Sequence, residues 1–462
     1  MGDEYGIILA GDTVIQDTIT AISTALGQGA ISIVRLSGAE AFDIASKVVK
    51  NFEPHRLQSH TVHYGHIYED NQHIDEVLVS IFKAPKSFTT EDMIEINTHG
   101  GTFVAQKVLE LCLAQGARLA LPGEFTQRAF LHGRIDLTQA ESVLDMIESR
   151  SELSLTLANQ GLEGKIYETI QNYRRSLLDI IAQIEVNIDY PEYDDVEEMT
   201  QTMILPHTQK LYDDLTELLK RAQLGNVIKE GVKTAIIGRP NVGKSSLLNA
   251  LLREEKAIVT EIQGTTRDVV EGTLVVGGLV LRLMDTAGIR QTHDIIEQMG
   301  IEKSRKVVEE AQLVLVVLNQ NEPLHDDDRM LLEMTEAKKR IVILNKSDLP
   351  KKIDAHIQDG IPLSALLKEN LNALEERIQT LFFEGKTPDL SSVTLGNARH
   401  IGRIKTALNH LDQALKSAQN GMPVDMVELD LKEAWVVLGD IIGDTKDTAL
   451  LDALFSQFCL GK

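Results

Sequence analysis

The sequence predicts a multidomain chain, α/β plus all-α, in which an N-terminal α/β domain precedes a helical domain that is interrupted by a second, inserted α/β domain. Three observations point there. Short β-branched runs bounded by turns occupy the first hundred residues, apolar residues three and four apart recur on both sides of position 230, and a strand, a glycine-rich loop and a helix follow one another between 232 and 251. At 462 residues the chain exceeds what one compact core usually holds, so several domains are expected on length alone.

In chain order, residues 31–36 (ISIVRL), 76–82 (EVLVSIF) and 93–97, just ahead of His99-Gly100-Gly101, read as strands of a small α/β domain at 1–130. From Asp136 the period becomes that of amphipathic helices, through Ala140, Val143, Leu144 and Ile147 and again through Leu177, Ile180, Ile181 and Ile184, which places a helical domain at 131–226. Pro191, amid six carboxylates between Asp189 and Glu198, reads as a solvated loop or helix start. Runs at 232–238, 279–285, 313–318 and 340–345 alternate with helices and predict a doubly wound parallel sheet, the insert at 227–385. Helical spacing resumes at Ile404, Leu408, Leu411 and Leu415 and at Val427, Leu431, Trp435 and Leu438, so 386–462 rejoins the helical domain.

Composition excludes several classes of protein. Hydrophobic residues at 43% and charged residues at 25% are globular values. Cys112, on an apolar helical stretch, reads as core; with Cys459 it forms no CxxC or Cys/His cluster, and the 13 histidines show no metal spacing, so neither a disulfide framework nor a zinc site is expected. The acidic N-terminus lacks a basic segment followed by an apolar one, and no apolar run approaches a membrane span, which predicts a soluble, cytoplasmic protein with no membrane partner. A net charge of -23 speaks against a chain-wide grip on phosphate backbones, so a nucleic-acid partner would be met locally.

The sharpest chemistry lies in the insert. Gly238-Arg239-Pro240-Asn241-Val242-Gly243-Lys244-Ser245 matches GxxxxGK[ST] between a predicted strand and helix, the context that motif requires. Backbone N–H groups there face phosphates, Lys244 reaches the β- and γ-phosphates, and the Ser245 hydroxyl suits Mg2+. Asp285-Thr286-Ala287-Gly288, at a strand end, is a DxxG placed to hold the metal through water and sense the γ-phosphate. Asn345-Lys346-Ser347-Asp348, at another strand end, offers a carboxylate to the N1–H and amino donors of guanine, a pair adenine lacks. The three in this order select GTP. Ser364 and Ala365, after another short strand, are a candidate for a further guanine contact.

These motifs resemble the bacterial housekeeping branch of the translation-factor-type GTPases, so the insert is expected to be a Ras-like P-loop GTPase domain. That resemblance adds Ser246, Thr260, Glu261, Ile262, Gln263, Gly264, Thr265 and Thr266 to the nucleotide contacts, with Thr266 as second side-chain ligand to Mg2+ beside Ser245. Ras-like enzymes place a water-orienting Gln directly after DxxG. Here that position is Ile289, which cannot polarise water.

The flanks carry a second resemblance. DTITAIST with AISIVRLSG, then HGG with LPGEFTQRAFLHGRIDLTQAE, and the terminal FCLGK are similar to the family of tRNA-modification GTPases called MnmE or TrmE. Membership would imply installation of a carboxymethylaminomethyl-type group at C5 of the wobble uridine of certain tRNAs, together with the flavoprotein MnmG (GidA) in a heterotetramer or larger complex, by a homodimer. It would also imply an N-terminal folate-binding domain holding 5-formyltetrahydrofolate or a related one-carbon tetrahydrofolate, at positions matching Arg35, Glu95, Arg134 and Lys462. Glu95 can accept from a pterin's donor edge, and cations suit a glutamate tail. The family's K+ activation maps onto Asn241 with backbone carbonyls around Thr260, Ile262 and Thr265; its water-orienting residue maps onto Glu297, and its single C-terminal cysteine onto Cys459, proposed to act on the uridine. The alternative expectation is a GTP-dependent switch in ribosome or complex assembly without chemistry on RNA.

Overall fold

The computed structural model describes residues 17–25, 27–189, 200–252, 272–284, 300–353, 357, 359–383, 392–444 and 448–462. They form two compact units, Met1–Leu144 with Gly439–Lys462, and Asp145–Leu438. The acidic stretch 190–199 lies outside the described residues.

The first unit is built on strands β1 (Ile19–Ile22), β2 (Ile31–Ser37), β3 (Thr61–Glu69), β4 (Gln72–Phe82), β5 (Met93–His99) and β6 (Arg118–Leu119). They lie in the order β3-β4-β5-β2-β1-β6, with neighbours antiparallel except the parallel pair β1 and β6. Alternation along β2 and β5 sends Val34, Leu36, Ile94 and Ile96 to one face, where helices Ala41–Val48 and Thr102–Ala114 cover them with Phe42, Ile44, Val108 and Cys112. Cys112 is core as expected, and burial pushes its thiol up to about 12. The opposite face carries Arg35 and Glu95, directly paired across β2 and β5. A two-residue turn, Asp70 and Asn71 with φ 47° and 66°, joins β3 to β4 in the conformation that suits strand twist.

The C-terminal segment belongs to this unit. Leu451, Phe455 and Phe458 pack on Leu137 and Ala140, with Phe130 at the edge. Beside β1, helix Glu124–Leu131 buries Arg128 to 1% exposure among carboxylates: its guanidinium donates to Asp17 Oδ1 at 2.7 Å, Glu124 Oε1 at 3.0 Å and Glu91 Oε1 at 3.1 Å. Arg118 completes the network against Asp17 and Glu124.

The second unit holds a sheet of β7 (Val232–Ile237), β8 (Gly272–Val276), β9 (Leu279–Leu283), β10 (Leu313–Asn319), β11 (Arg340–Asn345) and β12 (Gly360–Leu363). Its order is β12-β11-β10-β7-β9-β8, parallel but for the β8–β9 hairpin. Every residue of β10 is buried, as expected of a central strand covered on both faces. Leu247, Leu251 and Ile378 pack on one side of the sheet and Val308, Leu331 and Ile353 on the other. The helical residues of this unit include Lys165–Asp189, Leu205–Glu230 and Ala398–Gln419; Arg174 stacks on Trp435 at 4.0 Å and donates to its carbonyl. The fold class is therefore the one expected.

Candidate functional site

β7 ends in the phosphate loop and helix Lys244–Leu252 begins at its far side, so the loop backbone must turn sharply. Asn241 at its exposed tip has φ 61° and Gly243 has φ 100°. A Cβ on Gly243 would lie 2.1 Å from Asn345 Nδ2, so only glycine admits the close approach of the two loops. Val242 is buried beneath the loop, and Arg239 ties it to the start of helix Asp326–Met334 through Asp328 at 2.9 Å and Glu322 at 3.0 Å.

Lys244 Nζ donates to the carbonyls of Gly238 at 2.6 Å and Arg239 at 2.7 Å. Burial pushes its pKa down, the mark of a cation held without a full counter-charge. Ser245 and Ser246 follow in the first helical turn, where free N–H groups and the helix dipole favour an anion.

The guanine loop sits at the end of β11. Asn345 is buried and uses both ends of its amide within the protein: Nδ2 donates to Val242 O at 2.8 Å and Oδ1 accepts from Ala365 N at 3.0 Å. It thus ties the phosphate loop to the loop after β12. Lys346 turns the backbone at φ 66°, and the exposed Asp348 carboxylate accepts from buried Ser364 Oγ at 2.6 Å. Ser364 thereby aims Asp348, while Oδ2 remains for a ligand's donors. The described part of the site brings together Asn241, Val242, Gly243, Lys244, Ser245, Ser246, Asn345, Lys346, Asp348, Ser364 and Ala365. Thr260, Glu261, Ile262, Gln263, Gly264, Thr265, Thr266, Asp285, Thr286, Ala287, Gly288 and Glu297 lie outside the described residues.

In the first unit, Arg35 Nε and a terminal nitrogen both meet Glu95 Oε1, at 2.9 and 2.8 Å, and its other terminal nitrogen donates to Gly461 O at 3.3 Å. Arg35 lies over the Phe125 ring at 5.5 Å and Arg134 over Phe88 at 4.9 Å. Phe88 and Phe125 belong to one small apolar cluster with Ile19, Ala21 and Ala120. Each guanidinium group thus covers one ring of this cluster, with Glu95 beside Arg35. A cavity of about 640 Å³ opens along Arg134, lined also by His60, Phe82, Phe88 and His132.

Ser23 Oγ also donates to Gly461 O, at 3.0 Å. A Cβ on Gly461 would meet Ile22 O at 2.4 Å, and its φ is 90°, so the tail can seat only with glycine there. Phe458 is buried and Cys459 exposed, while the half-buried Lys462 donates its amide to Cys459 O at 3.3 Å. Gly461→Ala is expected to unseat this tail. With about 1–3 kcal/mol of local strain, carboxypeptidase should trim the variant roughly tenfold faster than the parent. Equal trimming rates would mean that the tail is not held by this contact.

Sequence reasoning passed over three groups. They are Arg239, within the phosphate-loop motif, Arg128, within EFTQRAFLHGR, and His66 with His73. The partners of Arg128, Asp17 and Glu91, come from distant segments with no common period. His99 Nδ1 lies 2.6 Å from Asp75 Oδ1, a partner 24 residues away in β4.

Two family models match: the MnmE helical domain over residues 137–459, and the GTP-binding protein TrmE N-terminus over 18–134. The tRNA modification GTPase MnmE of Streptococcus thermophilus is 53% identical over 449 residues, 96% of this chain and 98% of that protein. The protein of the same description from Lactococcus lactis subsp. lactis is 53% identical over 448 residues, 96% and 98% of the two chains. Among solved structures, the G domain of the T. maritima FeoB iron transporter is 29% identical and covers 32% of this chain and 98% of its own, with a TM-score of 0.24. Among the described residues no helix is long and apolar enough to cross a membrane.

Proposed function

Because the chain belongs to the MnmE family of tRNA-modification GTPases, matching its members over 96% of its length, we propose that it is a homodimeric, potassium-activated GTPase. In this reading it works with the flavoprotein MnmG to install a carboxymethylaminomethyl-type group at C5 of the wobble uridine of certain tRNAs. The observation that carries it is the seated tail. Gly461 brings the chain's FCLGK segment onto Arg35, itself paired with Glu95, and a bare switch that only times assembly has no use for such a seat.

At the nucleotide, Lys244 and the loop amides hold the β- and γ-phosphates, Asp348 reads guanine, and Asn345 and Ser364 keep these groups in place. Ser245 and Thr266 are the Mg2+ ligands. Asn241, at the exposed tip of the loop, is the side-chain ligand for K+, joined by carbonyls of Thr260, Ile262 and Thr265. A cation there supplies the charge that an arginine finger gives other GTPases. Glu297 orients the water. In the N-terminal unit, Glu95 accepts from the pterin of a one-carbon folate, while Arg35, Arg134 and Lys462 face its carboxylates. Cys459, exposed beside this tail, is the candidate for contact with the uridine.

The test compares GTP turnover in K+ and in Na+, with and without MnmG, tRNA and folate. K+ is expected to raise the rate roughly 100-fold, the effect of one well-placed charge, and Asn241→Ala to erase that difference. A rate indifferent to the cation overturns the potassium assignment. GTP turnover without any wobble modification in the complete mixture would favour the assembly switch.

A further inference from the structure

We propose that His66, His73 and Glu76, on the outer face of the β3–β4 hairpin, form a binding site for Zn2+, with two imidazoles and one carboxylate as protein ligands and the fourth position open to water. The feature that assembles it is a β-bulge. Residues three apart in a regular strand point to opposite faces, so His73 and Glu76 would ordinarily diverge. Here the register runs from Ile67 opposite Asp75 to Tyr68 opposite His73, leaving Ile74 without a partner and turned against the core. The extra residue re-aims His73 to the side of the sheet where Glu76 already lies directly across from His66.

The resulting spacing is that of a metal site. His66 Nδ1 and His73 Nε2 are 3.3 Å apart, and one ligand atom from each of the three side chains lies within 4.8 Å of the others. Two nitrogens at about 2.0–2.1 Å from a tetrahedral zinc ion are themselves about 3.3 Å apart, so an ion that replaces the proton shared by the two imidazoles meets nitrogens at the separation it requires. The ring of Tyr64 stands edge-on to His66 at 4.9 Å and that of Tyr68 edge-on to His73 at 5.1 Å, so each imidazole is flanked by an aromatic ring. His73 and Glu76 are exposed and His66 half-buried, so an ion has open access. The two imidazoles select a borderline ion such as Zn2+ over Mg2+ or Ca2+, which prefer all-oxygen shells. Because β3 is the edge strand, a bound ion would cross-link the outermost pair of the sheet and stabilise this unit by mass action.

Calorimetric titration of the full chain with Zn2+, in the presence of GDP and Mg2+, reads the site directly. A single saturable Zn2+ is expected, weakened in the His66→Ala/His73→Ala double variant by at least the roughly 10–100-fold that loss of even a supporting group costs. GTP turnover without zinc should be unchanged in that variant, and circular dichroism and a thermal melt matching the parent's in the absence of zinc show that its first unit is folded. Unaltered affinity in the double variant overturns the proposal, as does the absence of saturable binding in the parent chain. Co2+ provides a readout free of substitutions: intense visible bands of four-coordinate Co2+, bleached by Zn2+, support the site, and only the pale spectrum of six-coordinate Co2+ at saturation overturns it.

Discussion

Replacing Lys244 by alanine is expected to lower kcat/KM for GTP by roughly 10²–10³-fold, the loss that follows removal of one pre-placed donor from a site of developing charge. The ammonium is already in position, 2.6 and 2.7 Å from two backbone carbonyls, and burial has lowered its affinity for its proton. Its partial desolvation is a standing cost that a phosphate's charge offsets, so the gain on binding is larger than for a lysine in water. Lys244→Arg should not restore the rate, because a planar fork cannot replace a point donor inside the loop. Stopped-flow binding of a fluorescent GTP analogue and single-turnover hydrolysis would separate the loss in affinity from that in chemistry. A combined loss under about tenfold would show that another cation holds the phosphates.

The largest effect on stability is expected from Arg128→Met. Removing the guanidinium leaves Asp17, Glu91 and Glu124 around a buried thioether, and breaking a buried ion pair on one side costs about 3–5 kcal/mol. Melting of the first unit should fall by roughly 10 °C. The pH dependence identifies the cause. Burial tends to raise the Glu124 carboxyl, but hydrogen bonds from Arg118 and from Leu121 N and the charge of Arg128 outweigh it, so the group titrates below its ordinary 4.5. Asp17 likewise lies below its ordinary 3.8, with burial opposed and outweighed by Arg118 and Arg128. Carboxyls with depressed folded pKa values contribute stability above their unfolded values and lose it as pH falls through the folded ones. In the parent chain this contribution is complete above about pH 5 and drains below pH 4. In the variant Glu124 and Asp17 keep Arg118 but lose Arg128, so they gain less from ionising, and the gap between variant and parent should be widest at neutral pH and shrink on acidification. A constant gap would mean that Arg128 acts through packing alone.

How much of this was legible in the sequence follows from the range of each interaction. The phosphate loop is local: its residues lie within one strand–loop–helix unit, and the glycine at 243 is demanded by that loop's own geometry. The service of Asn345 to the loop is not local, since the carbonyl it binds is 103 residues away, and the motif alone suggests only a contact with the base. Strand prediction missed β3, whose outward side chains are mostly aromatic or polar. In β3 the outward positions are Val62, Tyr64, the half-buried His66 and Tyr68, an alternation whose polar members hide the pattern. The bulge at Ile74 breaks the two-residue period itself, so no spacing rule could have brought His73 beside His66. Arg35 and Glu95 were legible only through a motif; their contact depends on the register of β2 with β5.

The two-part composition of the first unit bears on synthesis at the ribosome. Its segments are separated by about 290 residues, which at about 5–20 residues per second take from some fifteen seconds to a minute to translate. Through that interval Phe130, Leu137 and Ala140 have emerged but Leu451, Phe455 and Phe458 have not, so the nascent chain carries a bare apolar patch that its own later residues must cover. The intervening unit is complete in sequence before that cover arrives and can fold first, making the N-terminal unit, earliest to be translated, the last to be finished.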